Sequence, residues 1–357
     1  MKQDLFAVQS LRAVAAIAVV AYHSAATIRN FGWTPGVFSN ASQWGWAGVD
    51  IFFFISGFVM VIATSGHSRG PLAAKDFMVA RLARIVPMYW ILTSLMLAML
   101  WVVPNLKHFE FTATEILDSY LFVPYEVEGE GNVYPVLYVG WTLIYEMFFY
   151  LVFAISICFP ERAARWALPA FFVVLSVLSL TRPTPYIYRF LTSPLLLEFV
   201  FGCMFAWVYR SGYRLSKPGF AALIAIGVIG FFVLTPSASM DYRVLTAGIP
   251  AALLVSGAVL WESAGGWAGG SWLPIVGDSS YSLYLMQAFT IPGFARLFSG
   301  IDKHRILPGD VACLLIVSAT IVVSMIVYRV VERRIDVKMR ALRRRVLTRS
   351  AALDRSA

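Results

Sequence analysis

Apolar residues fall along this chain in long blocks, not in the strict alternation of a strand or the single stripe of a surface helix. A block of about 17–25 mostly apolar residues is long enough to cross a bilayer as a helix. Ten such blocks occur, at 8–29, 46–65, 83–104, 138–159, 166–182, 191–209, 219–235, 244–262, 279–299 and 309–331. Pro, Gly or charge clusters separate most of them. "SAGGWAGGSWLP" is a Gly-rich connection and "PYEVEGEGNVYP" an acidic, turn-rich loop. The pattern predicts an all-α polytopic membrane protein, a bundle of about ten transmembrane helices without a visible internal repeat. The transmembrane domain is expected over 1–335, with a basic cytoplasmic tail at 336–357.

Composition agrees and charge sets the orientation. Of 357 residues, 59% are hydrophobic and 14% charged, against about 25% charged in an ordinary soluble domain. If the N-terminus is inside, twenty-one Lys and Arg fall on the inner side, ten of them from Arg329 onward, and eight fall outside. Arg243 is among the outside eight. The bias predicts an even number of spans and two cytoplasmic termini. The net charge of +9 is then a membrane-lipid anchor, concentrated in "RALRRRVLTR", and no nucleic-acid partner is implied. Cys158, Cys203 and Cys313 lie in or beside apolar stretches without metal-ligand spacing and read as small core hydrophobes. The N-terminal block lacks a cleavage site followed by polar sequence and reads as a retained first span.

Candidate chemistry comes from ionisable groups inside the blocks, where they are costly and usually face the bundle interior. Arg12 and His23 are eleven residues apart, about three turns, which puts them near one face and ~16 Å apart along the axis. Arg12 is then at the cytoplasmic edge, where a snorkelling anchor is the plain alternative, and His23 is deep. Asp50 falls about a turn inside the outer end of the second block, at a depth expected to match His23. A carboxylate on an imidazole fixes its tautomer and raises its basicity, as a general base needs. Arg81 and Arg84 share a face at the start of the third block and suit phosphate groups, or simply anchor the helix; Pro87 fits that helix's first turn. Glu146 is near mid-membrane, and Glu198 is expected shallower, lining a cavity. Tyr281, Tyr284 and Gln287 form a polar stripe on the ninth block. Together these residues predict a buried cavity with a cationic cytoplasmic mouth for an anionic ligand.

The stretches "SLRAVAAIAVVAYH", "GVDIFFFISGF", "RLARIVPMYW", "WTLIYEMFFY" and "DSSYSLYL" occur in the order seen in the membrane-bound acyltransferase-3 family, and the chain resembles that family over nearly its whole length. Within it, the branch that acetylates exopolysaccharide repeat units of succinoglycan type is the most similar. The resemblance implies acyl-CoA as donor, His23 as the catalytic residue and the Arg81/Arg84 pair as important for the donor. Many members carry a His in the last stretch where this chain has Gln287, which removes a role for a second histidine. Some relatives add a soluble esterase-like domain, for which the short basic tail here leaves no room.

The expected activity is transfer of an acetyl group from acetyl-CoA to a carbohydrate hydroxyl, in a bacterial inner membrane, with polysaccharide assembly machinery a candidate partner. Arg81 and Arg84, helped by Arg12 and Lys75, would hold the phosphates. His23, oriented by Asp50 or Glu146, would take the hydroxyl proton, and no metal is required. The rival reading is a proton-coupled secondary transporter using His23, Asp50 and Glu146 as a relay, although repeat symmetry and paired broken helices are not visible. A non-catalytic scaffold would leave the buried charges unexplained.

Overall fold

The computed structural model describes residues 5–102, 111–126, 134–182, 185–235, 242–266 and 272–353. Most of the acidic loop, residues 267–271 of the Gly-rich connection and the end of the tail lie outside them. The described residues are helical: α1 (Phe6–Asn30), α2 (Val37–Ala41), α3 (Gly48–Thr64), α4 (Pro71–Val102), α5 (Ala113–Leu121), α6 (Trp141–Ile157), α7 (Glu161–Leu178), α8 (Tyr186–Leu191), α9 (Leu196–Arg210), α10 (Lys217–Leu234), α11 (Ile249–Ser263), α12 (Leu273–Asp278), α13 (Ser280–Ile301), α14 (Gly309–Val327) and α15 (Arg333–Leu353). Among the described residues nine helices are long and apolar enough to cross a membrane, so this is an all-α, multi-pass membrane protein. The predicted ninth block does form a helix, α13, but it is not one of the nine. Ser280, Ser282 and Gln287 dilute its hydropathy, and they are buried against protein.

Two expected starts are displaced. The second span begins at Val37 and runs to Thr64, because α2, a 3-10 turn at Ser42–Ala47 and α3 follow one another without a break. The third begins at Pro71, where proline's missing N–H costs a helix nothing. Pro87 is therefore inside α4, where it removes one ladder hydrogen bond, and not in a first turn. At the other end, α14 continues through a π turn at Tyr328–Glu332 into α15, so residues 335 and 336 lie within one continuous run of helix.

The chain forms two compact units, Met1–Ser65 with Pro169–Met325, and Gly66–Leu168 with Ile326–Ala357. In the first, α1 owes its central place to small side chains: Ala7, Ala13, Ala15, Ala16, Ala18, Ala21 and Ala25 are all buried. Close backbone approach is the way helices associate where the solvent is itself apolar. A Cβ on Gly45 would stand 2.1 Å from the Ala18 carbonyl oxygen, and one on Gly48 2.4 Å from that of Ala15. α3 and α9 dock reciprocally. Gly57 rests on the Phe199 carbonyl and Gly202 on that of Phe54, with 1.9 and 2.0 Å for a Cβ at each, while Phe53 and Phe199 stack at 4.5 Å. By contrast α10 shows Ile226, Ile229, Phe232 and Val233 outward, as suits a lipid-facing helix.

The connections at one end of this unit are tied by carboxylates. Asp302 accepts from the Trp33 indole at 2.9 Å and from the Ile306 and Leu307 amides at 2.8 and 3.1 Å. Asp310 accepts from the amides of Gly36, Phe38 and Ser39. In the second unit α4 packs on α6 and α15. Tyr89 donates to the Ser119 carbonyl at 3.1 Å, which ties α5 to α4. Arg69 caps the end of α6 through the Ser156 and Phe159 carbonyls at 2.7 and 2.6 Å, a cation placed where the helix dipole favours one.

Two predictions follow from this packing. Gly57→Ala and Gly202→Ala should each lower the melting temperature of detergent-purified protein, by about 1–3 kcal/mol of overpacking, because the obstacle is backbone; unchanged melts would contradict the α3–α9 contact. The hydrogen bond from Trp33, and then the Ile306 and Leu307 amides, hold the Asp302 carboxyl below its usual range. Its stabilisation is therefore present above the unfolded value of about 3.9 and is lost as pH falls through the lower folded value. Asp302→Asn should melt lower at pH 7 and show a flatter fall in melting temperature than wild type on acidification.

Candidate active site

In the first unit, α1 carries both Arg12 and His23. His23 is half-buried, lies edge-to-face with Tyr22 at 5.1 Å between ring centres, and its carbonyl accepts the Thr27 hydroxyl at 2.8 Å. It stands seven residues before the last residue of α1, Asn30, and five past that helix's middle residue, Ala18. Arg12 reaches α13, its Nε donating to Ser280 Oγ at 3.2 Å. On α13, Tyr281 is half-buried, while Tyr284 and Gln287 are buried. Tyr284 packs edge-on against Phe52 at 6.2 Å. The Gln287 amide donates to the Tyr284 carbonyl at 2.8 Å, and its buried Oε1 has no partner among the described residues.

Asp50 departs from expectation. Because the span starts at Val37, Asp50 is thirteen residues from one end and fourteen from the other, near the middle and not a turn from the edge. Nearby, Gly48 meets α1 at Ala15 and Val19, one to two turns short of His23, so the expected match in depth fails. Its carboxylate is engaged by Arg243, whose Nε and second terminal nitrogen donate to the two oxygens at 3.0 and 2.8 Å. Arg243 also lies over the Trp46 ring, 4.5 Å from its centre. The pair is sealed, with side chains 0% and 5% exposed.

Glu198 faces the same pair. It stands twelve residues from each end of the Tyr186–Arg210 span, at mid-span and not shallower as expected. It is 1% exposed, within electrostatic reach of Asp50 and Arg243, yet neither oxygen makes a hydrogen bond of normal geometry among the described residues. Gly248, in the π turn after Arg243, gives it room: a Cβ there would stand 2.8 Å from Glu198 Oε1. Arg243 was expected among the outside loop cations. The signal that could have found it is its place, one residue before the apolar block 244–262, while Asp50 and Glu198 sat inside blocks with no cation assigned to them.

The second unit holds the remaining candidates. Tyr150, one turn on from Glu146 along α6, donates to its carboxylate. Lys75 is exposed on α4. Arg81 lies over the rings of Phe77 and Tyr150, at 5.5 and 5.9 Å, and its buried Nε has no hydrogen-bond partner among the described residues. Arg84, expected to hold the donor's phosphates at the cytoplasmic mouth, is taken up by the chain itself. It pairs with Glu332 at 2.9 Å and with Asp336. The positive count of the tail had hidden these two acids.

A multi-pass helical protein with a histidine, three carboxylates and several arginines on its spanning helices is a membrane-embedded catalyst or carrier. The comparisons decide between them. The family model "Acyltransferase domain" matches residues 5–329, and the chain belongs to this acyltransferase-3 family and is a membrane acyltransferase. It is 35% identical over 261 residues to the exopolysaccharide production protein ExoZ of Rhizobium meliloti (strain 1021), covering 71% of this chain and 78% of that one. It is also 34% identical over 87 residues to the peptidoglycan O-acetyltransferase OatA of Listeria monocytogenes serovar 1/2a (strain ATCC BAA-679 / EGD-e), which is 24% of this chain and 12% of OatA. No solved structure matches the chain.

Removing one partner of a buried ion pair strands the other charge, at a cost of about 3–5 kcal/mol. Asp50→Asn and Arg243→Gln should each sharply lower the melting temperature, and the double variant should recover much of the loss. Equal losses in single and double variants would show that the pair is not coupled.

Proposed function

We propose that this acyltransferase moves an acetyl group from acetyl-CoA to a hydroxyl of an exopolysaccharide or its repeat unit, in a bacterial inner membrane with both termini cytoplasmic. The single observation that carries this reading is the similarity to an exopolysaccharide production protein over most of the chain, within an acyltransferase family. A family of acyltransferases also weighs against the carrier reading, which rests only on charges within spans.

His23 is the general base in this reading. A neutral imidazole accepts the proton of the acceptor hydroxyl as its oxygen attacks the thioester carbonyl. The carbon–sulfur bond then breaks, and the proton passes to the departing CoA sulfur, so donor and acceptor balance the step without an oxidant, a metal or a third substrate. Tyr22, against the imidazole, limits how the ring can turn. The donor's phosphates need cations, and Lys75 and Arg81 are the residues assigned to that task, Arg84 being already paired with Glu332 and Asp336. Tyr281, Tyr284 and Gln287 offer polar groups of the kind that bind a carbohydrate, and Gln287 Oε1 is a buried acceptor without a donor among the described residues.

The test is CoA release by purified protein with acetyl-CoA and an exopolysaccharide acceptor, followed by mass analysis of the polysaccharide. His23→Ala should lose about 10²–10⁴ in rate while keeping the wild-type melting temperature. Wild-type rates in that variant would remove His23 from the chemistry, and absence of acetyl mass in the product would remove the acceptor class.

A further inference from the structure

The arginines at 81 and 84 look equivalent in sequence, three residues apart on one helix. Their surroundings in the second unit are not equivalent. Arg84 faces two carboxylates, Glu332 at 2.9 Å and Asp336. Both are buried, at 1% and 7% exposure, while the Arg84 side chain is 31% exposed. Arg340 adds a second cation to Asp336 at 3.6 Å, so two cations and two carboxylates balance. One turn further along α15, Arg343 makes a two-pronged pair with Asp76 of α4. These bonds lash the C-terminal helix to α4. The contacts of Arg84 with Asp336 and of Arg343 with Asp76 are charge-assisted hydrogen bonds, the strong class, and an incoming phosphate would have to displace two carboxylates to reach Arg84.

Arg81 differs on each count. Its guanidinium rests on the rings of Phe77 and Tyr150, contacts that hold a cation in place without cancelling its charge. Its Nε is buried and lacks a hydrogen-bond partner among the described residues. A buried guanidinium N–H left unmade is costly, and an anion arriving at this side chain would relieve it. Arginine suits that role because its planar fork matches two phosphate oxygens at once.

We propose that the pair divides its labour: Arg81 is the residue that binds the donor's phosphates, and Arg84 is a positioning residue whose task is to dock α15 on α4 through Glu332 and Asp336. This rests on the reading of acetyl-CoA as donor. A phosphate-free anion such as a free carboxylate would use the same chemistry at Arg81, and comparing acetyl-CoA with acetyl-dephospho-CoA separates the 3′-phosphate from the rest of the donor.

The experiment measures CoA release and melting temperature on the full-length protein in detergent. Arg81→Gln should raise KM for acetyl-CoA about tenfold or more, with kcat within about twofold and the melt unchanged, as for loss of a binding contact made equally in ground and transition states. Arg84→Gln should instead lower the melting temperature. The charge exchange Arg84→Glu with Glu332→Arg should restore the melt and bring KM back to near wild type. Should Arg84→Gln fail to fold, Arg84→Lys supplies the same comparison with the charge kept. The proposal is overturned if Arg84→Gln raises KM with an unchanged melt, if the exchange restores stability but not KM, or if Arg81→Gln leaves KM at the wild-type value. A wild-type protein that releases no CoA would sink the donor assignment and with it the role of Arg81. The clamp would still be judged by the melts, which overturn it if the exchange fails to restore what Arg84→Gln loses.

Discussion

An isolated charge near the centre of a bilayer costs about 2.5–3.5 kcal/mol even on the mildest scales, and this fold carries several. The two-pronged bond between Asp50 and Arg243 is how the first unit tolerates one of them. It holds a carboxylate at the middle of the second span and a guanidinium at the start of the π turn before α11, and Trp46 covers the cation. Such a pair contributes less to net stability than to geometry, because desolvation offsets much of the attraction. What it does fix is which residues can face one another. With Asp50 committed to Arg243, the 3-10 turn bearing Trp46 and Gly45 is held, and Gly45 is pressed on α1 at Ala18 and Tyr22, the neighbour of His23.

Glu198 is the exception to this pairing. It looks onto a cation already shared with Asp50 and makes no regular hydrogen bond among the described residues. Gly248 leaves just the space its carboxyl occupies. Buried polar groups without partners are uncommon and concentrate where proteins do work. The same logic separates Arg81 from Arg84 in the second unit, where one guanidinium is matched by carboxylates and the other rests on aromatic rings.

Most of the architecture was legible in the order of the residues. Runs long enough to span a membrane, broken by Pro, Gly and charge, mark the helices, since a backbone in lipid has to satisfy its hydrogen bonds within each segment. The errors came where a helix continues through residues that look like a stop. Residues 37–45 lie outside the apolar block that starts at 46, but α2 and a 3-10 turn packed on α1 through Gly45 join them to α3, and their inclusion carried Asp50 from the edge of the span to the middle. Ser280, Ser282 and Gln287 are shielded by protein, so α13 needs less hydropathy than a lipid-facing helix. His23, Asp50, Glu146 and Glu198 were visible as ionisable groups inside apolar runs, whereas Arg243, just outside one, reads as a loop cation.

The sequence by itself determined that this is a helical membrane protein, which residues are out of place in lipid and, through the matched family, that it transfers acyl groups. These follow from properties that accumulate along the chain: hydropathy over twenty residues, and the recurrence of particular residues in order. Tertiary structure alone decided which charge meets which. Arg243 is 193 positions from Asp50, and Glu332 is nearly 250 from Arg84. No local pattern encodes such pairings, because they depend on how separate helices are turned about their axes, and that rotation is set by glycine–backbone contacts and interlocking aromatic rings across the bundle.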